Sequence, residues 1–163
     1  TLQSTRTCGR GCQGIRATLI DGSFSDNGSN GIQATRDAAL EVTGSSIHRN
    51  GRHGIYTQAE DVTLDGVHIQ GNNTSDSGIR LVETPGATGT AAIKNSTIIH
   101  CAGASGCISI IPEGSGTVDV EITDSAVERV HTGLSTDSNF SFIGIVSCTV
   151  VGGEADVTGT CSP

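Results

Sequence analysis

The sequence contains no tryptophan and no methionine, and aromatic residues make up only 2% of its 163 residues. So few large apolar side chains would fill a conventional globular core poorly. Small and polar residues are abundant instead, with 23 glycines alone. This balance favours stacked coils, in which Val, Ile and Leu line a narrow interior and tight turns use Gly or Asn.

Basic residues are also scarce: nine Lys and Arg stand against 17 Asp and Glu, which gives a net charge of −8. A phosphate backbone requires a basic stripe, and none is present, so nucleic acid is not an expected partner. No apolar run approaches the roughly 20 residues that span a bilayer, so no membrane span is expected. The chain begins at Thr1 with neither an initiator Met nor a signal-peptide pattern, which predicts a processed or trimmed product.

What the sequence does contain is a repeat, seen most clearly from Asp61 to Ile79. Val62 and Leu64 alternate with polar residues, the period of two expected of a strand with one buried face. Aligning the chain on Leu64 gives six equivalent positions, 23, 22, 29, 29 and 23 residues apart: Leu19, Val42, Leu64, Ile93, Ile122 and Ile145. A period in the twenties with three short strands per period predicts a solenoid.

Three further positions recur in each period. Five residues after each Leu64-equivalent position lies a second apolar residue: Phe24, Ile47, Ile69, Ile98, Val127 and Val150. A third segment opens at Gly31-Ile32, Gly54-Ile55, Gly78-Ile79, Cys107-Ile108 and Gly133-Leu134. Eight residues after each Leu64-equivalent position come Asn27, Asn50 and Asn72, and then Cys101, Val130 and Gly153. The Asn50-Gly51 pair predicts a left-handed turn at this point of the repeat.

The length is that of a single domain, and no linker divides it. We expect residues 1–13 to form an N-terminal disulfide loop and partial coil, 14–153 the coils, and 154–163 a C-terminal cap. Coils four and five have longer loops before their first strand, at 83–89 and 113–116. Insertions at the same corner of successive coils predict that one face of the solenoid is elaborated.

The six cysteines fall into three local pairs: Cys8 with Cys12, Cys101 with Cys107, and Cys148 with Cys161. An even number of cysteines in local pairs favours disulfides in a secreted protein, so an extracellular or cell-surface location is expected. A zinc site is the alternative. However, no CxxC or Cys-His cluster is present and the pairs belong to different coils, so no metal is expected.

The repeat resembles the right-handed parallel β-helices of the pectin-lyase-like superfamily over nearly the whole chain. The resemblance rests on the form VTLDGVHIQGN at 62–72, followed by Gly78-Ile79. It implies a single-stranded right-handed parallel β-helix. With the six copies of the repeat and the terminal cysteine pairs, the predicted fold is an all-β β-solenoid of about six coils with disulfide-closed ends. The Leu64-equivalent positions would lie on sheet PB1, the second apolar positions on PB2 and the third segment on PB3. A ladder of Asn27, Asn50 and Asn72 would lie in the turn before PB3.

Such a repeat is specific for fold and weak for function, because the superfamily includes polysaccharide lyases, glycoside hydrolases, uronan epimerases, tailspikes, adhesins and structural solenoids. Its enzymes usually work in the groove along PB1. The resemblance therefore places candidate catalytic residues at the outward positions of PB1: Lys94, Asp65, Glu41 and Glu121.

Asp65 and Lys94, the only lysine, should be neighbours, because strands in adjacent coils lie about 4.8 Å apart. A lyase needs a base that takes the proton beside a uronate carboxylate and a cation that holds that carboxylate. Lys94 with Asp65, or with a bound Ca²⁺, would supply both. The competing interpretation is a surface ion pair that stabilises little.

The motifs of the enzymatic members are missing. Asp65 is followed by Gly66 rather than by the His of pectate lyases, and their arginine motif has no equivalent. The paired aspartates and Gly-His-Gly of polygalacturonases and the Asp-Pro-His of alginate epimerases are also absent. The histidines fall at different positions in their coils, which predicts that they do not build one site: His48, His53, His68, His100 and His131.

The sequence therefore favours a non-catalytic extracellular β-helix, a structural or carbohydrate-contacting module of a surface, fibre or phage-like assembly. Its expected partners are a polysaccharide and copies of itself, stacked end to end or side by side, because the ends of a solenoid expose strand edges. The alternative is a small polysaccharide lyase or epimerase acting on acidic glycans through the PB1 groove. An acidic groove would repel that substrate unless Ca²⁺ bridges the two, and no other cofactor is expected.

Overall fold

The computed structural model describes residues 15–36, 38–72, 77–83, 88–101, 107–112, 117–127, 130–132, 139–142 and 146–150. Within these residues the regular structure consists of 16 β-strands and no helix, which confirms the predicted all-β class. The strands are β1 Ile15–Ile20, β2 Ser23–Ser25, β3 Ile32–Ala34, β4 Ala38–Thr43, β5 Ser46–His48, β6 Ile55–Thr57, β7 Asp61–Asp65, β8 His68–Gln70, β9 Ile79–Glu83, β10 Thr88–Lys94, β11 Thr97–Ile99, β12 Ile108–Pro112, β13 Thr117–Val127, β14 Val130–Thr132, β15 Asn139–Phe142 and β16 Val146–Val150.

The strands of successive coils pair in parallel at the spacing of the repeat. On PB1 (β1, β4, β7, β10 and the start of β13), the stacked residues are Leu19, Val42, Leu64, Ile93 and Ile122. On PB2 (β2, β5, β8, β11 and the end of β13), the stack runs through Phe24, Ile47, Ile69, Ile98 and Val127. The register predicted from the repeat is therefore confirmed on both sheets. The last Leu64-equivalent position, Ile145, lies outside the described residues.

PB3 consists of β3, β6, β9, β12 and β14. The inward residues of PB1, PB2 and PB3 meet in one apolar core. The stacked isoleucines, valines and leucines of the middle coils are at most 1% exposed: Val42, Ile47, Ile55, Leu64, Ile69, Ile79, Ile93, Ile98, Ile108, Ile122 and Val127. Burying one such side chain contributes roughly 1.5–3 kcal/mol. Leu19 and Phe24 of the first described coil are only partly buried.

Residues with left-handed backbone geometry bend each coil at two corners. At the corner between PB1 and PB2 the positive φ values belong to Asp21, Gly44, Gly66, Asn95 and Asp124. At the corner after PB2 they belong to Asp26, Arg49, Gly71 and His100. The left-handed turn predicted at Asn50-Gly51 thus lies one residue earlier, at Arg49, whose φ is 52°. The reason is that the side chain of Asn50 turns inward.

The predicted asparagine ladder is present. Asn50 Oδ1 accepts hydrogen bonds from Asn27 Nδ2 at 2.8 Å and from the Asn27 backbone N–H at 3.2 Å. Asn72 Oδ1 accepts the corresponding bonds from Asn50, at 2.9 and 3.1 Å. Asn50 and Asn72 are 3% and 4% exposed. The ladder therefore satisfies the polar groups of this corner where water does not reach them.

Glycine begins the third segment because the ladder lies against it. A Cβ on Gly31 would lie 2.6 Å from Asn50 Nδ2, and a Cβ on Gly54 would lie 2.6 Å from Asn72 Nδ2. Neither glycine has a positive φ. The Gly-Ile pair of the repeat thus reflects close approach of the next coil rather than an unusual backbone conformation.

A disulfide takes the place of the ladder in coil four. Cys101 occupies the ladder position, Cys107 immediately precedes β12, and the two are disulfide-bonded with their Cα atoms 5.0 Å apart. This confirms the predicted pair. Cys8, Cys12 and Cys161 lie outside the described residues, so the other two pairs stay predictions.

A second polar ladder, made of serines, was not predicted. Three buried serines each lie three residues after a Leu64-equivalent position: Ser45, Ser96 and Ser125. Each hydroxyl donates to the carbonyl two residues before it, at 2.7–2.9 Å. Each also accepts a backbone N–H from the preceding coil at 3.0–3.1 Å. The corner between PB1 and PB2 is therefore also joined from coil to coil by buried hydrogen bonds.

Two predictions about coils four and five are wrong. Ile108 pairs with Val130 rather than with Leu134. The reason is the shorter connection after PB2: β14 begins three residues after the last residue of β13, whereas β12 begins nine residues after the last residue of β11. The loop predicted at 83–89 is shorter than predicted, since β9 ends at Glu83 and β10 begins at Thr88. Residues 84–87 and the loop predicted at 113–116 lie outside the described residues. Some of the extra residues of these coils therefore lengthen the PB3 strands β9 and β12 and the PB1 strand β10 at the corner between the two sheets.

Candidate functional site

The four PB1 candidates stand in two columns on the outer face of the sheet. Asp65 and Lys94 are directly paired, as predicted. Glu41 and Glu121 lie in the other column with two coils between them. Three strand spacings, about 14 Å in total, separate these two glutamates. The candidates therefore do not converge on one point.

Three of the outward carboxylates of PB1 form hydrogen bonds with side chains of neighbouring coils. The hydrogen-bonded pairs are Asp65 with Asn95, Asp61 with Thr90 and Glu41 with Thr18, at 2.9, 2.8 and 3.4 Å. Glu41 also lies 3.6 Å from Arg16 Nε. Within the described residues Lys94 makes no ion pair, so the expected surface ion pair with Asp65 is not formed. Asp65 instead accepts a hydrogen bond from the side-chain amide of Asn95.

The best-defined cavity of the described residues lies away from the PB1 candidates. It lies at the corner between PB3 and PB1. One side is the short connection from β6 to β7, and the other side is formed by the longer strands β9 and β10 of the next coil. Its lining is Thr57, Ala59, Val62, Leu81, Val82, Gly89, Thr90 and Ala91. Its volume is about 10 Å³, room for about one water molecule. A sugar ring does not fit there.

The described residues contain no group of three or more His, Cys, Asp or Glu side chains arranged to hold a metal ion. The Ca²⁺ of the lyase alternative would thus have no preformed set of ligands in this part of the chain. Carboxylates of the substrate would have to complete its coordination, since Ca²⁺ takes six to eight oxygen ligands.

On the outer face of PB2 two histidines share one glutamine, a contact that sequence reasoning missed. The Oε1 of Gln70 lies 3.1 Å from His68 Nε2, and its Nε2 lies 3.0 Å from His100 Nδ1. His48 pairs in register with Gln70 on the preceding coil. His68 and His100 occupy different positions of the repeat, but the left-handed corner at His100 directs it back toward Gln70.

His53 is a structural residue. It is 1% exposed, and its Nδ1 accepts the backbone N–H of Ser77 at 3.1 Å. Its own backbone N–H donates to Asn30 Oδ1 at 3.2 Å. Its ring lies 5.9 Å from the ring of Tyr56, centroid to centroid. This histidine has the hydrogen-bonded role expected of a buried residue.

An ion pair joins the first two described coils at the corner after PB2. Arg49 donates two hydrogen bonds to the carboxylate of Asp26, both at 2.8 Å. These bonds, with a further one from Ser25, lower the pKa of Asp26 to about 2. The pKa of Arg49 is raised for the same reason. Both side chains are exposed, so this is a surface ion pair that links two stacked coils.

The outer face of PB3 carries a pair of residues that sequence reasoning missed. Tyr56 pairs in register with Arg80 of the next coil, and both are partly buried. Arg80 Nε is buried and has no hydrogen-bond partner. The signal was present in the repeat, because Gly54-Ile55-Tyr56 and Gly78-Ile79-Arg80 put a tyrosine and an arginine at the same position of adjacent coils.

The part of the chain that the structure describes has no helix long and apolar enough to cross a membrane.

Comparison with known proteins agrees with the β-helix architecture. No curated protein and no solved structure matches the chain. The family described as "right handed beta helix region" matches residues 5–159, which is nearly the whole sequence. The chain therefore belongs to the family of right-handed β-helix proteins.

Proposed function

We propose that this β-helix is a non-catalytic extracellular module that supplies a rigid structural or carbohydrate-contacting face to a surface, fibre or phage-like assembly. The observation that carries the proposal is that the outward carboxylates of PB1 form hydrogen bonds between coils. Asp61, Asp65 and Glu41 accept hydrogen bonds from side chains of neighbouring coils. These groups join one coil to the next and do not surround a cavity.

A catalytic arrangement would have different geometry. A general base and the cation that holds the substrate must both lie within hydrogen-bond reach of one bound molecule. Here Glu41 and Glu121 are about 14 Å apart, and none of the four candidates lines the cavity at the corner. A flat face of this kind suits contact with an extended polymer or a second copy, where many weak contacts act together.

The alternative, a small polysaccharide lyase or epimerase, is favoured by one observation. Lys94 stands beside Asp65 in register, and among the described residues its ammonium makes no ion pair. An exposed cation of this kind is available to a uronate carboxylate. The acidity of the PB1 face opposes it, since Asp61, Asp65, Glu41 and Glu121 on that face repel an anionic polymer.

The experiment that separates the two functions incubates the protein with a panel of uronans, with and without Ca²⁺. The absorbance of the unsaturated product reports a lyase, and NMR of the polymer reports an epimerase. We expect no product with the wild type. Product that disappears in Lys94→Ala but persists in the exposed-arginine control Arg36→Ala would establish the enzyme and overturn the proposal.

The assembly itself is tested by electron microscopy and light scattering of the purified protein. Ordered oligomers, filaments or sustained binding to an immobilised polysaccharide support the module. A strictly monomeric protein that binds no polysaccharide would contradict it. The extracellular location predicts that the unreduced, denatured protein has no thiol reactive toward a thiol reagent.

A further inference from the structure

We infer that the outer face of PB3 carries a subsite for a carboxylated sugar, formed by Tyr56 and Arg80. The inference rests on the carbohydrate-contacting role proposed above and adds a location and a ligand chemistry. Tyr56 and Arg80 are parallel partners on adjacent coils, so their backbones are about 4.8 Å apart. Their chain neighbours Ile55 and Ile79 are fully buried, and side chains alternate along a strand, so both project from the outer face.

Among the described residues Arg80 has no counter-charge, because no described carboxylate lies within 4.0 Å of its guanidinium. The ion pairs formed between described residues belong to Arg16 and Arg49. Its Nε is buried and lacks a hydrogen-bond partner. A charge that is partly removed from water interacts more strongly with an anion that reaches it.

The guanidinium also fixes which anion fits. Its terminal amines form a planar fork whose geometry matches the two oxygens of a carboxylate. One arginine offers one such fork. A polymer of phosphates would need a continuous basic stripe, which the sequence does not provide.

Tyr56 supplies the second half of the subsite, a fixed aromatic surface. Its ring packs beside His53 with the planes inclined by 32°. His53 is itself buried and held by the backbone N–H of Ser77 at 3.1 Å. Because the Tyr56 ring already packs against the buried His53, a bound sugar would restrict its motion little further, and binding would lose little side-chain entropy. An aromatic face with a polar hydroxyl suits a sugar ring, which has apolar C–H surfaces and polar edges.

The test is an NMR titration of the isotope-labelled protein, in which backbone amide shifts report where a ligand binds. The probes are oligogalacturonate and oligosialate, titrated separately, and neutral galactose oligomers of the same length. We expect shift changes centred on Tyr56 and Arg80 with at least one acidic probe. We expect the neutral oligomer to bind at least tenfold more weakly, because it leaves the guanidinium without an anion.

Variants assign the site to its two side chains. Arg80→Gln and Tyr56→Leu should each weaken binding of the acidic probe at least tenfold, and Arg80→Lys should fall between, because it keeps the charge and loses the fork. Arg36→Gln removes an equal charge from an exposed site and should change the affinity less than twofold. Circular dichroism verifies that each variant is folded. Should Arg80→Gln fail to fold, Arg80→Lys and the comparison with the neutral probe still decide the matter.

Each remaining outcome is decisive. Binding that survives Arg80→Gln but is lost in Lys94→Ala overturns the PB3 subsite and leaves the proposed carbohydrate-contacting function standing, with PB1 as its face. Absence of binding to any acidic probe also overturns the subsite. In that case the structural role is judged separately, by the oligomers or filaments seen in electron microscopy.

Discussion

The buried asparagine ladder predicts a large loss of stability when its central member is truncated. In Asn50→Ala four side-chain hydrogen bonds disappear: two accepted from Asn27, one donated to Asn72 and one donated to the carbonyl of Phe24. The variant leaves their partners without replacements in a corner where Asn50 is 3% exposed.

The magnitude follows from those bonds. Each contributes about 0.5–1.5 kcal/mol, so the four together contribute about 2–6 kcal/mol. Asn27 is only partly buried, and water can satisfy some of its groups, so we expect a loss of about 3 kcal/mol. In a chain of 163 residues this corresponds to a fall in Tm of about 6–12 °C.

The assay is urea and thermal unfolding followed by far-UV circular dichroism. Gln33→Ala is the matched control, because it truncates an exposed amide whose side chain makes a single hydrogen bond, to Asn30 at 3.2 Å. Its effect should stay within about 0.5 kcal/mol. Asn50→Asp keeps the volume but replaces the donating amide with an acceptor that faces Asn72 Oδ1, so at neutral pH it should destabilise at least as much as Asn50→Ala. Equal stability of Asn50→Ala and Gln33→Ala would refute the ladder as a source of stability.

Two further predictions concern the corners. Gly54→Ala places a Cβ 2.6 Å from Asn72 Nδ2 and should destabilise by about 1–3 kcal/mol in the same unfolding assay, whereas Gly28→Ala meets nothing within 4 Å; equal effects of the two changes would contradict the close-approach explanation. Because the pKa of Asp26 is lowered from 3.8 to about 2, its pairing with Arg49 stabilises the fold above pH 3.8 and is lost as the pH falls toward 2. A carboxyl NMR titration should show the pKa of Asp26 returning toward 3.8 in Arg49→Gln, and an unchanged value would show that the guanidinium is not the cause.

The stacking of the coils could be derived from the sequence because it depends on local periodicity. A strand with one buried face alternates its residues, and a slip of one residue would expose every apolar side chain. The repeat therefore fixes the register of Leu64 with Val42 and Ile93 without any knowledge of the rest of the fold. The ladder at Asn50 was implied by the resemblance to right-handed β-helices, and the disulfide of Cys101 by its local pairing with Cys107.

The repeat became less informative where its length changed. In coil five the alignment assigned Leu134 to PB3, but Ile108 pairs with Val130. The spacing alone does not show whether extra residues form a loop or lengthen a strand. That choice depends on whether the neighbouring coil offers a partner, as β12 does for β9 and β13 does for β10.

The sequence by itself determined the solenoid, its three faces and the residues that fill its interior, because burial imposes a period that each coil must obey. Only the tertiary structure decided what the outward side chains do, because most of their partners belong to a neighbouring coil and depend on how each corner turns. It directed Asp65 toward Asn95 rather than Lys94, brought His68 and His100 onto one glutamine, and put Tyr56 in register with an arginine whose buried Nε has no hydrogen-bond partner. A period specifies which face a residue occupies, whereas the contacts made on that face depend on three-dimensional neighbours that the period does not encode.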